Sequence, residues 1–193
     1  RQTRPDVVVA MNLTRDQLDR THEVSRTAQV WGRAFADQPG VTVVANVADP
    51  HVADAALWAE TTRVIWVDPG LRWTEDATVC PRCGRVLEWV DDPADAAGSR
   101  WRSDCGFAMP APDYALTPAG VRLPDGEVVP FTLALPGEVN RGNAVFAVAA
   151  AVAMGVDAPT ALARMAGVAQ VDGRYATLRL GARTAPLLLA KNP

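Results

Sequence analysis

The sequence has almost no lysine and almost no histidine. Lysine and arginine together number 19 in 193 residues, yet Lys191 is the only lysine, and His22 and His51 are the only histidines. The histidines are far apart in sequence, and no Ser/His/Asp or Cys/His arrangement points to nucleophilic catalysis. With 22 acidic residues the formal net charge is −3. That balance gives no sign of the basic surface with which proteins bind nucleic acid, so we expect no nucleic-acid partner.

Long apolar runs and a disulfide framework are also missing. The longest apolar candidate, residues 144–154, is rich in alanine and falls short of the roughly 20 residues that a membrane span needs. We therefore expect no membrane span. Only three cysteines are present, and two of them form a Cys-x-x-Cys pair, which indicates metal chemistry in a reducing compartment.

The apolar residues that are present predict an α/β fold. Continuous apolar runs at residues 6–11, 41–46 and 63–68 are typical of strands buried on both faces. A helix is predicted from Thr14, with Gln17 as its capping-box partner, to the Pro39-Gly40 pair, and a short helix at residues 50–59. Strands that alternate with helices predict a mostly parallel sheet flanked by helices on both sides.

The second half of the chain mixes hairpin and helix patterns. Turn residues between 120 and 135, with alternation at Phe131–Leu135, predict an antiparallel hairpin. Helices are predicted at residues 140–154 and 159–166, and strands at 174–180 and 186–190. The last of these, which includes three consecutive leucines, is expected to be buried.

The cysteine pattern is the strongest local signal. Cys80 and Cys83 flank a Pro-Arg pair and precede Gly84, and Cys105 precedes a second glycine. These are zinc-knuckle turns, and zinc in a structural site takes four tetrahedral ligands. The position three before Cys105, where a fourth cysteine is expected, holds Arg102, which cannot coordinate. Asp104 or a water could complete the site; otherwise the knuckle has lost its metal and is kept by packing. We expect residues 78–112 to be a zinc-ribbon-like insertion in a domain made of residues 1–77 and 113–193.

Two groups of polar residues are candidates for ligand binding. Asn12, Asp16 and Gln17 follow the first predicted strand, where α/β sheets bind ligands, although the residues by themselves favour helix capping and surface ion pairs. Asn140 and Asn143 lie one turn apart at the entry to a long helix, so their amides can hydrogen-bond a planar base such as adenine, or one of them is only a cap. Arg174 follows Gly173 at a predicted turn, and from the sequence alone we interpret it as a surface arginine.

Several segments in order along the chain resemble the Mur ligase family. The resemblance covers essentially the whole chain. It rests on the strand and the Arg15–Arg20 string that follows Asn12, on the cysteine knuckle, and on the Pro-Gly turn before Asn140 and Asn143. The remaining segments that carry it are Ala45-Asn46 with Asp49-Pro50, Gly173-Arg174, and Leu187–Pro193.

The resemblance implies a Mur ligase central domain and an ATP-dependent carbon–nitrogen ligase of peptidoglycan biosynthesis. ATP would phosphorylate the α-carboxylate of D-glutamate in the lipid II stem peptide, and ammonia from a GatD-type glutaminase partner would then give D-isoglutamine. Asn140 and Asn143 would hold adenine, Arg174 would reach the nucleotide, and the turn from Asn12 through Asp16 and Gln17 would face phosphate and Mg²⁺. The location implied is the bacterial cytoplasm, near the inner face of the membrane.

The chain also departs from the family pattern. Related ligases have a metal-binding histidine at the position of Gln17 and many use a carbamylated lysine, whereas Lys191 is the only lysine here. No Gly-Lys-Thr phosphate loop is present. We therefore expect this sequence to be a piece of a longer protein that does not turn over ATP by itself. The alternative is a diverged, non-catalytic ligase-like scaffold for protein–protein contact.

Overall fold

The structure, a computed structural model, describes residues 4–13, 21–58, 63–72, 74, 78–91, 99–171 and 175–188. Within these ranges six strands form the main sheet, in the order β1–β2–β3–β6–β7–β8. Their bounds are β1 Val7–Ala10, β2 Thr42–Asn46, β3 Arg63–Asp68, β6 Tyr114–Thr117, β7 Gly120–Arg122 and β8 Val128–Val129. Strands β1, β2, β3 and β6 run parallel, and β7 and β8 continue the sheet antiparallel. The predicted mostly parallel sheet is confirmed.

Four helices of the described chain cover both faces of this sheet: α1 Thr21–Ala36, α2 Pro50–Leu57, α3 Glu138–Ala153 and α4 Ala158–Ala166. Side chains of β2 alternate between the faces. Val43 and Ala45 belong to an apolar cluster with residues of α1 and α2, and Val44 belongs to the cluster formed by α3 and α4. A strand buried on both sides explains why β2 is a continuous apolar run. None of the described helices combines the length and the apolar character needed to cross a bilayer.

The segment with the cysteines forms a small unit with its own core. Strands β4 Glu88–Asp91 and β5 Ser99–Arg102 pair antiparallel. Trp101 is 1% exposed and packs with Cys80 and Phe107 in a third apolar cluster, which also includes Val47 of the main domain. The Trp101 indole Nε1 donates a hydrogen bond of 2.9 Å to the carbonyl oxygen of Val47. The unit is therefore packed onto the edge of the sheet domain by a buried, hydrogen-bonded tryptophan.

Two predicted strands differ from the structure. Residues 131–135 are not a strand, and the antiparallel strands lie earlier, at β6, β7 and β8. Alternate side chains of that segment, Leu133 and Leu135, line a cavity, so the period of two reflects pocket lining and not strand pairing. The expected burial of residues 186–190 is also wrong where it can be checked. Strand β10 Arg183–Leu188 pairs with β9 Tyr175–Leu180 in a separate two-stranded sheet, and Leu187 is 57% exposed.

The predicted start of the first helix cannot be compared with the structure. The structure gives α1 from Thr21, and the predicted cap at Thr14 and its partner Gln17 lie outside the described residues. The apolar stripe predicted for this helix is seen where Ala28 and Phe35 are buried and Trp31 packs against the same cluster. The remaining helices begin and end within two residues of their predicted bounds.

His51 makes folding stability depend on pH. It is 6% exposed, and its buried Nδ1 has no hydrogen-bond partner among the described residues. Burial lowers the pKa of His51, although the carboxylates of Asp49 and Asp54 oppose this. The unfolded chain takes up a proton near the ordinary histidine pKa of about 6.5 and the folded chain resists it, so stability is lost as the pH falls.

We expect the free energy of unfolding to fall by up to about 1.4 kcal/mol per pH unit below pH ~6.5 because of this one group. Urea unfolding at pH 7, 6 and 5 would measure it. A His51→Gln variant, which carries no titratable group there, should show a shallower decrease. Parallel curves for the two proteins would contradict the assignment.

Candidate functional site

A cavity of about 720 Å³ lies at the carboxyl ends of the parallel strands. Met11 and Asn12 follow β1, Asn46 is the last residue of β2, and Pro69 and Leu71 follow β3, and all five line it. The strands end together here because they are parallel and adjacent in the sheet. This edge is where open α/β sheets bind ligands, and the volume is in the range of small-molecule sites.

The first two turns of α3 close the other side of the cavity. Asn140 and Asn143 both line it. The Nδ2 of Asn140 donates to the carbonyl oxygen of Pro136 at 2.7 Å, which leaves its amide oxygen available to accept a hydrogen bond. The exposed Asn143 side chain makes no hydrogen bond to any described residue. Apolar side chains supply most of the remaining wall, among them Leu133, Leu135, Phe146, Met165 and Tyr175.

Gly142 lets α3 approach the end of β3. A Cβ on Gly142 would lie 2.8 Å from the carbonyl oxygen of Pro69 and 3.0 Å from the Pro69 Cβ. Real Cβ atoms are not found so close to a backbone oxygen, so only glycine permits this contact. The approach brings Asn140 and Asn143 over the strand ends.

Asp49 fixes the loop after β1. Its Oδ2 accepts a hydrogen bond of 2.6 Å from the backbone nitrogen of Leu13, next to Asn12. Its Oδ1 accepts from the backbone nitrogens of His51 and Val52 at 2.9 and 3.1 Å, which caps α2. Burial raises the pKa of the Asp49 carboxyl, against the effect of these hydrogen bonds. One side chain therefore ties the β1 end to the β2–α2 connection.

A buried ion pair fixes the turn after β3. The Asp68 and Arg72 side chains are 2% and 7% exposed and form two N–H···O contacts, of 2.7 and 2.9 Å. Asp68 also accepts from the backbone nitrogen of Gly70, and Arg72 Nε donates to the carbonyl oxygen of Ser99 at 2.8 Å. The pair thus joins the turn that carries Pro69 and Leu71 to the cysteine unit. Sequence reasoning missed this pair, and its only signal was the Asp-x-x-x-Arg spacing.

The three cysteines converge on one point. The Sγ atoms of Cys80, Cys83 and Cys105 lie within 4.8 Å of one another, and those of Cys80 and Cys105 are 3.7 Å apart. Burial raises the pKa of the Cys80 thiol, and a hydrogen bond with Ser103 is the main cause that lowers the pKa of Cys83 to about 7. Among the described residues this is the one cluster of three or more cysteine, histidine or acidic side chains, and its chemistry suits a thiophilic ion such as zinc.

Two charged residues next to the cysteine cluster in sequence, Arg102 and Asp104, form ion pairs with other side chains. The Arg102 guanidinium pairs with Glu88 on the neighbouring strand at 2.8 Å. The Asp104 carboxylate pairs with Arg85 at 3.2 Å, with both side chains about 70% exposed, and it is not among the clustered donor atoms. The expectation that Asp104 completes a metal site is not supported by this geometry.

The knuckle turn is also held to the main domain. Arg82 Nε contacts Asp54 of α2 at 2.7 Å, and the Arg82 guanidinium lies 4.0 Å from the centre of the Phe107 ring. The contact joins helix, turn and aromatic core through one side chain.

The structure brings together three of the predicted ligand-binding residues. Asn12, Asn140 and Asn143 line one cavity, although they come from distant parts of the chain. The other three, Asp16, Gln17 and Arg174, lie outside the described residues. Sequence reasoning did not single out the wall residues Asn46 and Tyr175 as site residues.

Comparison with known proteins gives sequence and structural relatives. No model of a known protein family matches the chain. The chain is 26% identical over 208 residues to the MurT subunit of the glutamine-hydrolysing lipid II isoglutaminyl synthase of Streptococcus pneumoniae, covering 98% of the chain and 44% of that protein. It is 22% identical to the MurT subunit from Staphylococcus aureus COL, covering 100% and 46%. The chain thus spans less than half the length of these curated relatives.

A solved structure shows the same fold. A pseudomurein peptide ligase type C from Methanothermus fervidus superposes with a TM-score of 0.65 at 20% identity, over 91% of this chain and 36% of that one. In sequence the chain is therefore MurT-like over nearly its whole length. In structure it has the fold of this peptide ligase.

Proposed function

We propose that this chain is the nucleotide-binding part of a peptidoglycan ligase that amidates the α-carboxylate of D-glutamate in lipid II. The observation that carries the proposal is the meeting of Asn12, Asn140 and Asn143 at one cavity on the carboxyl edge of the sheet. The relatives named as lipid II isoglutaminyl synthase subunits supply the reaction.

The cavity suits a purine nucleotide. Asn140 retains an amide oxygen that can accept from the exocyclic amino group of adenine, and Asn143 offers both a donor and an acceptor. Apolar side chains, including Leu135 and Phe146, provide faces for the ring. Phosphates would extend toward Asn12 and the following turn, and Arg174 would reach the nucleotide.

The proposed reaction has two steps. A carboxylate oxygen of D-glutamate attacks the γ-phosphorus of ATP, which forms an acyl phosphate and releases ADP. Ammonia from a GatD-type glutaminase partner then attacks the acyl carbon, phosphate leaves, and the amine loses a proton to give D-isoglutamine. The protein contributes mainly by holding nucleotide and acceptor in place and by placing polar groups near the developing charge.

Two metals belong to the proposal. Mg²⁺, when bound, would neutralise phosphate charge; Asp16 and Gln17 remain the residues proposed to face it. Structural Zn²⁺ would be held by Cys80, Cys83 and Cys105, whose Sγ atoms already lie within 4.8 Å of one another. The zinc would stabilise the cysteine unit and take no part in the reaction.

Replacing Asn143 tests the nucleotide site. Isothermal titration calorimetry with ATP should show binding to the unmodified chain, and Asn143→Ala should weaken it about ten- to a hundredfold, because base groups lose their hydrogen-bond partner. GTP should bind more weakly than ATP, since its base presents a keto group in place of the exocyclic amine.

Gln38→Ala is the matched control, since Gln38 lies beyond α1 and away from the cavity, and its side-chain Nε2 donates to the carbonyl oxygen of Ala34. It should leave ATP affinity unchanged. Equal affinity of the Asn143→Ala variant and the unmodified chain would refute the assignment. No ATP binding at all would favour a non-catalytic scaffold for protein–protein contact.

A further inference from the structure

The two knuckle turns of the cysteine unit have matching hydrogen-bond patterns. In the first, the backbone nitrogen of Cys80 donates to the carbonyl oxygen of Arg85, and Gly84 donates to Cys80. In the second, the backbone nitrogen of Ser103 donates to the carbonyl oxygen of Phe107, and Gly106 donates to Ser103. In this pattern Ser103 has the same position in the second turn that Cys80 has in the first.

The flanking bridges give the same alignment. Val79, just before the first turn, bridges antiparallel to Val86, just after it. Arg102, just before the second turn, bridges in the same way to Ala108. Arg102 therefore corresponds to Val79, outside the turn, and the second turn is one residue shorter than the first. Both turns keep a glycine at positive φ, Gly84 at 71° directly after Cys83 and Gly106 at 84° directly after Cys105.

The Ser103 hydroxyl completes a four-atom cluster. Its Oγ lies 3.3 Å from Cys83 Sγ and 3.5 Å from Cys105 Sγ, and the residue is 9% exposed. In a tetrahedron around zinc with the usual bond lengths, two sulfurs are about 3.8 Å apart and a sulfur and an oxygen about 3.5 Å apart. The two distances from Ser103 and the 3.7 Å between the Sγ atoms of Cys80 and Cys105 each lie within about 0.2 Å of the corresponding edge.

From this we infer that Ser103 is the fourth ligand of a zinc site with three thiolates and one oxygen, and that Arg102 is not the ligand position. The inference rests on the proposed structural zinc, but it is independent of the proposed ligase chemistry. Since a serine oxygen is a harder and weaker zinc ligand than a thiolate, the site should bind zinc less tightly than a four-cysteine site.

Two cysteine substitutions show whether position 102 or position 103 supplies the fourth ligand. Ser103→Cys and Arg102→Cys each add one thiol, under reducing conditions, at adjacent positions. We expect zinc X-ray absorption to count three sulfurs in the unmodified chain, four in Ser103→Cys and three in Arg102→Cys. Cobalt loading should agree, with sulfur-to-cobalt absorption higher by about one third in Ser103→Cys only, because each bound thiolate contributes its own band.

Removing the hydroxyl tests whether serine itself is bound. Zinc affinity, measured by competition with a chromogenic chelator, should fall at least about tenfold in Ser103→Ala and be largely restored in Ser103→Thr. Circular dichroism of each zinc-loaded variant checks that the fold is kept. These readouts do not depend on enzyme activity.

Each of these measurements has an outcome that would contradict the assignment of Ser103 as the fourth zinc ligand. Four sulfurs in Arg102→Cys, three in Ser103→Cys, or unchanged affinity in Ser103→Ala would overturn the assignment of Ser103 as the ligand while leaving a zinc site in place. Failure of the unmodified chain to bind zinc would overturn the inference together with the proposed structural zinc. ATP binding would then still be tested separately by the Asn143→Ala variant.

Discussion

Replacing Arg72 by methionine should destabilise the protein by about 3–5 kcal/mol, since it leaves the carboxylate of Asp68 buried without its partner. Asp68 as a whole residue is 1% exposed, and the Arg72 guanidinium donates one hydrogen bond to each of its two carboxylate oxygens. In a chain of this length that loss corresponds to a fall in the melting temperature of about 10 °C. Thermal unfolding followed by circular dichroism would measure it.

Two variants separate the charge effect from simple loss of contacts. Arg102→Ala removes an exposed ion pair of the same chemistry, with both side chains about 60% exposed, and should leave the melting temperature nearly unchanged. Adding Asp68→Asn to Arg72→Met should recover part of the stability, because the remaining group is neutral and can still accept from Gly70. A single-variant loss below about 1 kcal/mol would show that water reaches the pair.

The ion pair has a consequence for the cavity as well. The turn that it fixes carries Pro69 and Leu71, which line the cavity. Its link to Ser99 makes the cysteine unit part of the support of that turn. This is a physical reason for the chain to keep a cysteine unit that contributes nothing to the proposed chemistry.

Sequence patterns predicted the elements whose burial is periodic or continuous. β2 is apolar throughout because the sheet is covered on both faces, and the strand is found within one residue of its predicted bounds. The spacing of Asn140 and Asn143 placed them on one face of α3. That Asn12 lies across the same cavity followed from the sheet order and not from any local pattern.

The same patterns failed where one signal has two physical causes. Alternation at Leu133 and Leu135 predicted a strand, but the two side chains line the cavity without strand pairing. Counting residues between cysteines put the fourth ligand position at Arg102. The backbone hydrogen bonds show that the turn around Cys105 is one residue shorter than the turn around Cys83, so that Ser103 lies at the cluster. The spacing of the cysteines alone could not reveal this.

Gly142→Ala should impair both stability and the proposed nucleotide binding. The added Cβ would meet the Pro69 carbonyl oxygen at 2.8 Å, and this neighbour is backbone that cannot rotate away. Helix α3 packs against β1, β2, β3 and β6, so it cannot retreat without loosening the core. We expect a loss of about 1–3 kcal/mol, as for other overpacked interiors, despite the higher helix propensity of alanine.

Gly167→Ala is the matched control for that substitution. Gly167 ends α4 with φ −80°, and a Cβ there meets only the Arg164 carbonyl oxygen, at 3.7 Å, so the change should be neutral or stabilise by up to about 1 kcal/mol. Because α3 carries Asn140 and Asn143, its displacement in Gly142→Ala should also weaken ATP binding, measured by calorimetry at a temperature where the variant is folded. A Gly142→Ala protein with unchanged stability and unchanged ATP affinity would show that the close contact between α3 and the end of β3 does not position the asparagines.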